Sequence, residues 1–207
     1  RTFALVVSVT VSATILGTAI AWLLTRTNLP WRRAWVLLTA IPLVIPSFVY
    51  ALVITTALSP RGLVQKMLEP ALGITELPSI YGFPGAFISL TLLTYPYVLL
   101  PTRAALTNLD PAMEEASRTL GRGTLKTFAS ITLPALRPAT AAGALLVALY
   151  TLSDFGAVSL LRWETFTYAI FNQYEAAFDR ALAAALSLVL AITAIGLVGI
   201  EGWTRGR

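Results

Sequence analysis

Residues 3–25 read FALVVSVTVSATILGTAIAWLLT, 23 positions without a charge. At ~1.5 Å per residue a helix of that length covers roughly 35 Å, enough to cross the ~30 Å hydrocarbon core of a bilayer. Four further runs meet the same test: 34–60, 77–102, 138–161, in which Asp154 is the one charge, and 181–200. Five such runs predict an all-α, multi-pass transmembrane bundle. Strands of a membrane barrel would alternate apolar and polar over ~10 residues, and these runs do not. The first run is too long for a signal peptide, and more spans follow it.

Composition agrees. The chain is 57% hydrophobic and 12% charged, with a mean hydropathy of +0.76, so lipid is its natural solvent. Because it starts at Arg1 rather than Met, the expectation is one unit, residues 1–207, of a longer protein.

The net charge of +5 raises the question of nucleic acid, and the placement of the charges answers it. Arg26, Arg32 and Arg33, then Arg103, Arg118, Arg122, Lys126 and Arg137, then Arg205 and Arg207 lie on one side of the five spans, 10 basic residues in all. The other side holds 5: Arg1, Arg61, Lys66, Arg162 and Arg180. The positive-inside rule puts the richer side in the cytoplasm, with the N-terminus of the segment outside and its tail inside. The basic excess is a topology signal, and nucleic acid is excluded as a partner. Trp31, Trp35 and Trp203 fall near the predicted interfaces.

Within the spans, Pro42 and Pro46, and Pro96 and Pro101, are expected as kinks, which membrane bundles tolerate. Kinked helices line a cavity in one reading and are packing irregularities in the other. Pro42, Pro46, Tyr95, Pro96 and Asp154 are the candidate path or gate residues. Asp154 is a functional candidate as an ionisable group in a span; the plainer reading is a helix-end cap or a partner for Arg162. Ala13, Gly17 and Ala21 form a row of small residues, and Ala183, Ser187, Ala191 and Gly199 approximate another; both suit close helix packing, within the chain in the plainer reading and against another subunit in the other. Between Arg162 and Arg180, Trp163, Phe166, Ile170, Tyr174 and Phe178 repeat at helical spacing and predict an amphipathic surface helix.

The loop between spans three and four carries the most information. It runs NLDPAMEEASRTLG over 108–121 and RGTLKTFASITLP over 122–134. Asp110 is a good N-cap and Pro111 suits the first helical position. Glu114 and Glu115 fall in the first turn, Glu114 and Arg118 are spaced to pair, and Met113, Ala116 and Leu120 share a face. Gly121 and Gly123 stop the helix. Thr124 is placed to cap a second helix with Leu125, Phe128 and Ile131 or Thr132 on its apolar face, and Pro134 is expected to bend the chain toward the membrane.

In this loop Glu115, Ala116 and Ser117 are followed by Gly121 and then by Ile131, Leu133 and Pro134. The spacing resembles the EAA motif of binding-protein-dependent ABC importer permeases: E-A-A, three residues, G, nine residues, I-x-L-P. Ser117 stands where that family most often has Ala, another small residue. Residues 41–46, 154–161 and 178–181 further resemble the ferric-iron branch of the family. The resemblance implies a MetI-like fold and a cytoplasmic coupling helix between spans three and four. Its ATPase-coupling residues would be Glu114, Glu115, Ala116, Ser117, Arg118, Leu120, Gly121, Ile131, Leu133 and Pro134. It also implies a cytoplasmic ABC ATPase dimer, a second permease unit, fused or separate, and a periplasmic or extracellular solute-binding protein. The location would be a bacterial inner membrane and the cargo ferric iron, with thiamine, polyamine, sulfate or phosphonate as alternatives.

Other classes are less well supported. Residues 121–127 lack the Gly directly before Lys126 that a phosphate-binding loop requires, so energy is expected from a partner subunit and no cofactor from this chain. With no Cys and no His there is no thiol or imidazole chemistry and no zinc site, and neither an enzyme nor a metal centre is expected. An ion-coupled secondary transporter would need carboxylates near the midplane, and the spans offer Asp154 alone.

Overall fold

The computed structural model describes residues 1–60, 62–72 and 78–205. Side chains of Arg118, Leu125 and Trp203, and the start of the third run at Leu77, lie outside the described residues. The described chain is helical: α1 (Thr2–Arg26), α2 (Arg32–Ala40), a 3-10 turn (Ile41–Val44), α3 (Ser47–Leu58), α4 (Leu63–Leu72), α5 (Phe83–Asn108), α6 (Pro111–Thr119), α7 (Thr124–Thr127), a π turn (Phe128–Thr132), α8 (Leu133–Ser153), α9 (Gly156–Leu160), α10 (Phe166–Glu175) and α11 (Arg180–Arg205). Five stretches are long and apolar enough to cross a membrane: Thr2–Arg26, Ser47–Met67, Phe83–Asn108, Phe128–Ser153 and Arg180–Gly202.

The centre is α5 clasped between α1 and α8. Glycine makes this possible. A Cβ on Gly17 would lie 2.7 Å from the Tyr95 carbonyl oxygen, and one on Gly143 would lie 2.6 Å from the Val98 Cα. Backbones can approach so closely in lipid where a side chain is missing. Leu5, Val9, Ala13 and Ala21 of α1, Leu90, Val98, Leu99 and Leu106 of α5, and Leu136 and Val147 of α8 fill this core. The Ala13–Gly17–Ala21 row is therefore internal packing. The second row is not: Ala183 is buried, whereas Ala191 and Gly199 are exposed on α11.

Three spans depart from the sequence reading. The run 34–60 is broken rather than kinked. Pro46 forces Ile45 into extended backbone (φ −89°, ψ 125°), which ends the 3-10 turn and lets α3 begin afresh. α3 has 12 residues, about 18 Å, so it needs neighbouring segments to complete a crossing. By contrast, Pro96 and Pro101 sit inside an unbroken α5, which runs on past Thr102 to Asn108 and carries Arg103 on the helix. The fourth span starts earlier and stops earlier than 138–161. Helical backbone continues from Thr124 through the π turn into α8, so there is no separate second loop helix. Pro134 lies in the first turn of α8 and does not redirect the chain; the widened π turn just before it absorbs the missing N–H. α8 ends at Ser153, and residues 156–160 form α9.

The two ends of the bundle are pinned separately. At one, the Phe166 N–H donates to Thr2 Oγ1 at 3.0 Å, and Arg1 pairs with Glu164. At the other, α6 packs on α7 and the π turn, and its Glu114 reaches Arg26 at the end of α1. The predicted surface helix exists as α10 but is shorter than the aromatic repeat. Trp163 precedes it and meets Phe83 edge-on at 5.4 Å, and Phe178 follows it with φ 52°.

Candidate functional site

α6 forms because its start is capped as the sequence indicates: Asp110 Oδ1 accepts the Ala112 N–H at 2.9 Å. Gly121, at φ +79°, supplies the left-handed residue that turns the chain after it. One face of α6 is tied to the bundle by polar contacts. Glu114 is buried, 3.2 Å from Arg26 at the end of α1, and accepts a hydrogen bond from Thr132 Oγ1 at 2.9 Å. Ser117 and Thr127 share a buried hydroxyl–hydroxyl contact at 3.0 Å. Trp22 of α1 meets Phe128 edge-on at 5.9 Å, closing the same junction.

The opposite face is open. Met113 and Leu120 are exposed, Leu120 by 81%, and Glu115 and Ala116 are exposed beside them. Met113, Ala116, Ser117, Leu120, Arg122 and Ile131 line a groove of about 330 Å³. The ten residues singled out in this loop thus divide. Glu114 and Ser117 turn inward and hold the helix. Glu115, Ala116, Leu120 and Gly121 face outward, with Ile131 in the groove. Leu133 and Pro134 belong to the start of α8, with Leu133 exposed and Pro134 half-buried. Glu114 pairs with Arg26, and the expected Glu114–Arg118 pair rests on a side chain outside the described residues. Arg26, Thr127 and Thr132 were missed as partners because no local spacing links them to α6.

The candidate path residues gather around the break before α3. Pro42 and Pro46 flank Ile45. Tyr95 donates its hydroxyl to the Thr39 carbonyl at 2.9 Å, fixing the end of α2 to α5. Pro96 is buried in α5. Asp154, also buried, accepts the Ala157 and Val158 N–H groups at 3.0 and 3.4 Å and a hydrogen bond from Ser47. Burial holds its carboxyl above the ordinary carboxylate range, and these donors offset part of that rise. Asp154 caps the start of α9, and among the described residues it forms no ion pair with Arg162. Among the described residues no group of three His, Cys, Asp or Glu is placed to hold a metal ion.

The described residues form a helical bundle with five stretches of membrane-crossing length and the short helix α6 at one end. The family described as binding-protein-dependent transport system inner membrane component matches residues 13–200, and the chain belongs to that family, one of transport subunits in the inner membrane. The chain is 36% identical over 207 residues to the Fe(3+)-transport system permease protein FbpB 2 of Haemophilus influenzae, covering all of this chain and 37% of that relative. It is 31% identical over 141 residues to the molybdenum transport system permease protein ModB of Escherichia coli, covering 68% of this chain and 60% of the relative. It therefore spans about a third and three-fifths of the lengths of these two proteins. The fold is similar to that of the MetNI methionine ABC transporter in an inward-facing conformation, with a TM-score of 0.73 at 16% identity over 98% of this chain and 90% of that one.

Proposed function

We propose that residues 1–207 act as one permease unit of an ATP-binding-cassette importer whose cargo is ferric iron. The observation that carries the reading is the two-sided build of α6. Glu114 and Ser117 anchor it to α1, α7 and the π turn, while Met113, Ala116 and Leu120 offer an unoccupied apolar edge. A helix held so firmly on one face transmits a push delivered to the other.

In this reading the α6 end is cytoplasmic, as the basic residues around it favour, and Thr2 lies at the outer end. A cytoplasmic ATPase dimer grips α6 through Glu115, Ala116, Leu120 and the groove ending at Ile131. Its ATP-driven closure moves this unit against a second permease unit, fused or separate. A binding protein delivers cargo at the α10 end, and the break at Pro42–Pro46, with Tyr95, Pro96 and Asp154 around it, lies on the path. Ferric cargo is supported by the full-chain similarity to a ferric permease; the molybdenum relative sets a competing cargo.

The test is co-expression of the full-length protein with its genomically neighbouring ATPase, wild type against Gly121→Glu. The expected result is loss of the ATPase from the purified variant and loss of ATP-driven ferric uptake, with insertion unchanged. Unchanged co-purification and uptake would refute the coupling role of α6. Wild-type uptake of molybdate or sulfate in place of iron would refute the cargo and leave the mechanism standing.

A further inference from the structure

Four arginines approach the α6 end of the bundle along α1, α2 and α5, and the structure treats them differently. Arg26 has Glu114. Arg32, Arg33 and Arg103 have no carboxylate within 4.0 Å among the described residues. Instead they converge on one cavity of about 550 Å³, which Val36, Leu37 and Thr107 complete. The Nε of half-buried Arg103 is shut off from solvent without a hydrogen-bond partner, as is that of Arg26, whereas Arg32 and Arg33 are exposed. Arg32 makes only a long contact, 3.5 Å, to the Thr25 carbonyl.

Like charges brought together without counter-charges repel one another, and a buried guanidinium N–H without an acceptor is costly. An anion in the cavity relieves both. Its chemistry is narrowed by the surroundings. Arginine presents donors in a planar fork that matches phosphate oxygens. Val36 and Leu37 give the cavity an apolar wall, and Leu37 is exposed beyond it. Trp31 and Trp35, exposed on the same segment, mark the headgroup level of a bilayer. A ligand with a phosphate beside an apolar tail satisfies all of these features.

We propose that Arg32, Arg33 and Arg103 form a binding site for the headgroup of an anionic phospholipid, whose acyl chain runs along Val36 and Leu37. The site joins the start of α2 to the last turns of α5, next to the α1–α6 junction. Bound lipid would hold α2 against α5 where the broken second span begins. The site does not depend on which cargo crosses the membrane.

The test is native mass spectrometry of the full-length protein, delipidated and titrated with phosphatidylglycerol or phosphatidylcholine. The wild type should retain phosphatidylglycerol preferentially. At roughly fivefold per arginine, Arg32→Gln with Arg103→Gln should weaken that binding about 30-fold. The charge-preserving pair Arg32→Lys with Arg103→Lys, which keeps the charge but not the planar fork, should lose less than the Gln pair, which separates loss of charge from misfolding. Arg137→Gln, away from the cavity, should bind as wild type. Equal retention of phosphatidylcholine, or an equal loss in Arg137→Gln, would overturn the site. Displacement of phosphatidylglycerol by millimolar inorganic phosphate would reassign it to a free oxyanion and overturn the lipid.

Discussion

The carboxylate of Glu114 lies 3.2 Å from the guanidinium of Arg26, across 88 positions of sequence, and both side chains are largely buried (10% and 17% exposed). The first acidic residue of α6 thus points into its own chain, where Thr132 completes the contact. Removing one member leaves the other charged and unsatisfied. Glu114→Ala is expected to destabilise the protein by about 3 kcal/mol. Glu114→Leu combined with Arg26→Met should recover more than half of that loss, because no lone charge remains. Thermal unfolding in detergent checks the cycle; additive losses would show that the pair is not coupled.

Gly121 and Gly123 differ although both stand in open space. Gly121 has φ +79°, and Gly123 is not in the left-handed region. Gly121→Ala is expected to cost about 1–2 kcal/mol through backbone strain, and Gly123→Ala to lie within ~0.5 kcal/mol of wild type. The same unfolding measurement separates them.

Gly17 and Gly143 are constrained by contact rather than by backbone angle. Gly17→Val or Gly143→Val should destabilise by about 1–3 kcal/mol as α1 or α8 is pushed off α5. Gly196→Ala and Gly199→Ala on α11 meet nothing within 4 Å and should be silent in the isolated unit. If they impair assembly but not stability, the open face of α11 is where the second permease unit packs.

Asp154 separates two roles. As a cap for α9 it tolerates replacement by another short acceptor. Asp154→Ala should cost about 1 kcal/mol, and Asp154→Ser should restore both stability and uptake. Uptake lost equally in both variants, with stability kept in the Ser variant, would show that the carboxylate itself serves the cargo.

The sequence carried the fold through its charge-free runs, and the cap and stop of α6 through Asp110 and Gly121, because these signals are local. What it did not carry is equally physical. Pro46 breaks a helix and Pro96 does not, although both sit in long apolar runs. The difference lies in packing: Pro96 is buried in α5 beside the tight α1 contact, whereas Pro46 lies on an exposed stretch. The inward turn of Glu114 depends on Arg26, which sequence reading counted only as a topology charge. The gathering of Arg32, Arg33 and Arg103 on one cavity is likewise a product of how α2 meets α5.

The chain has no cysteine, so single-cysteine variants report one position within it. Cross-linking from Leu120→Cys, Met113→Cys and Thr127→Cys to the partner ATPase, in membranes active for uptake, tests the coupling role of α6 most directly. Cross-links are expected from Leu120 and Met113, which are exposed, and none from Thr127, which is buried against Ser117 and does not line the groove. Cross-links from Thr127, or none from Leu120 and Met113 in an uptake-competent protein, would refute that role.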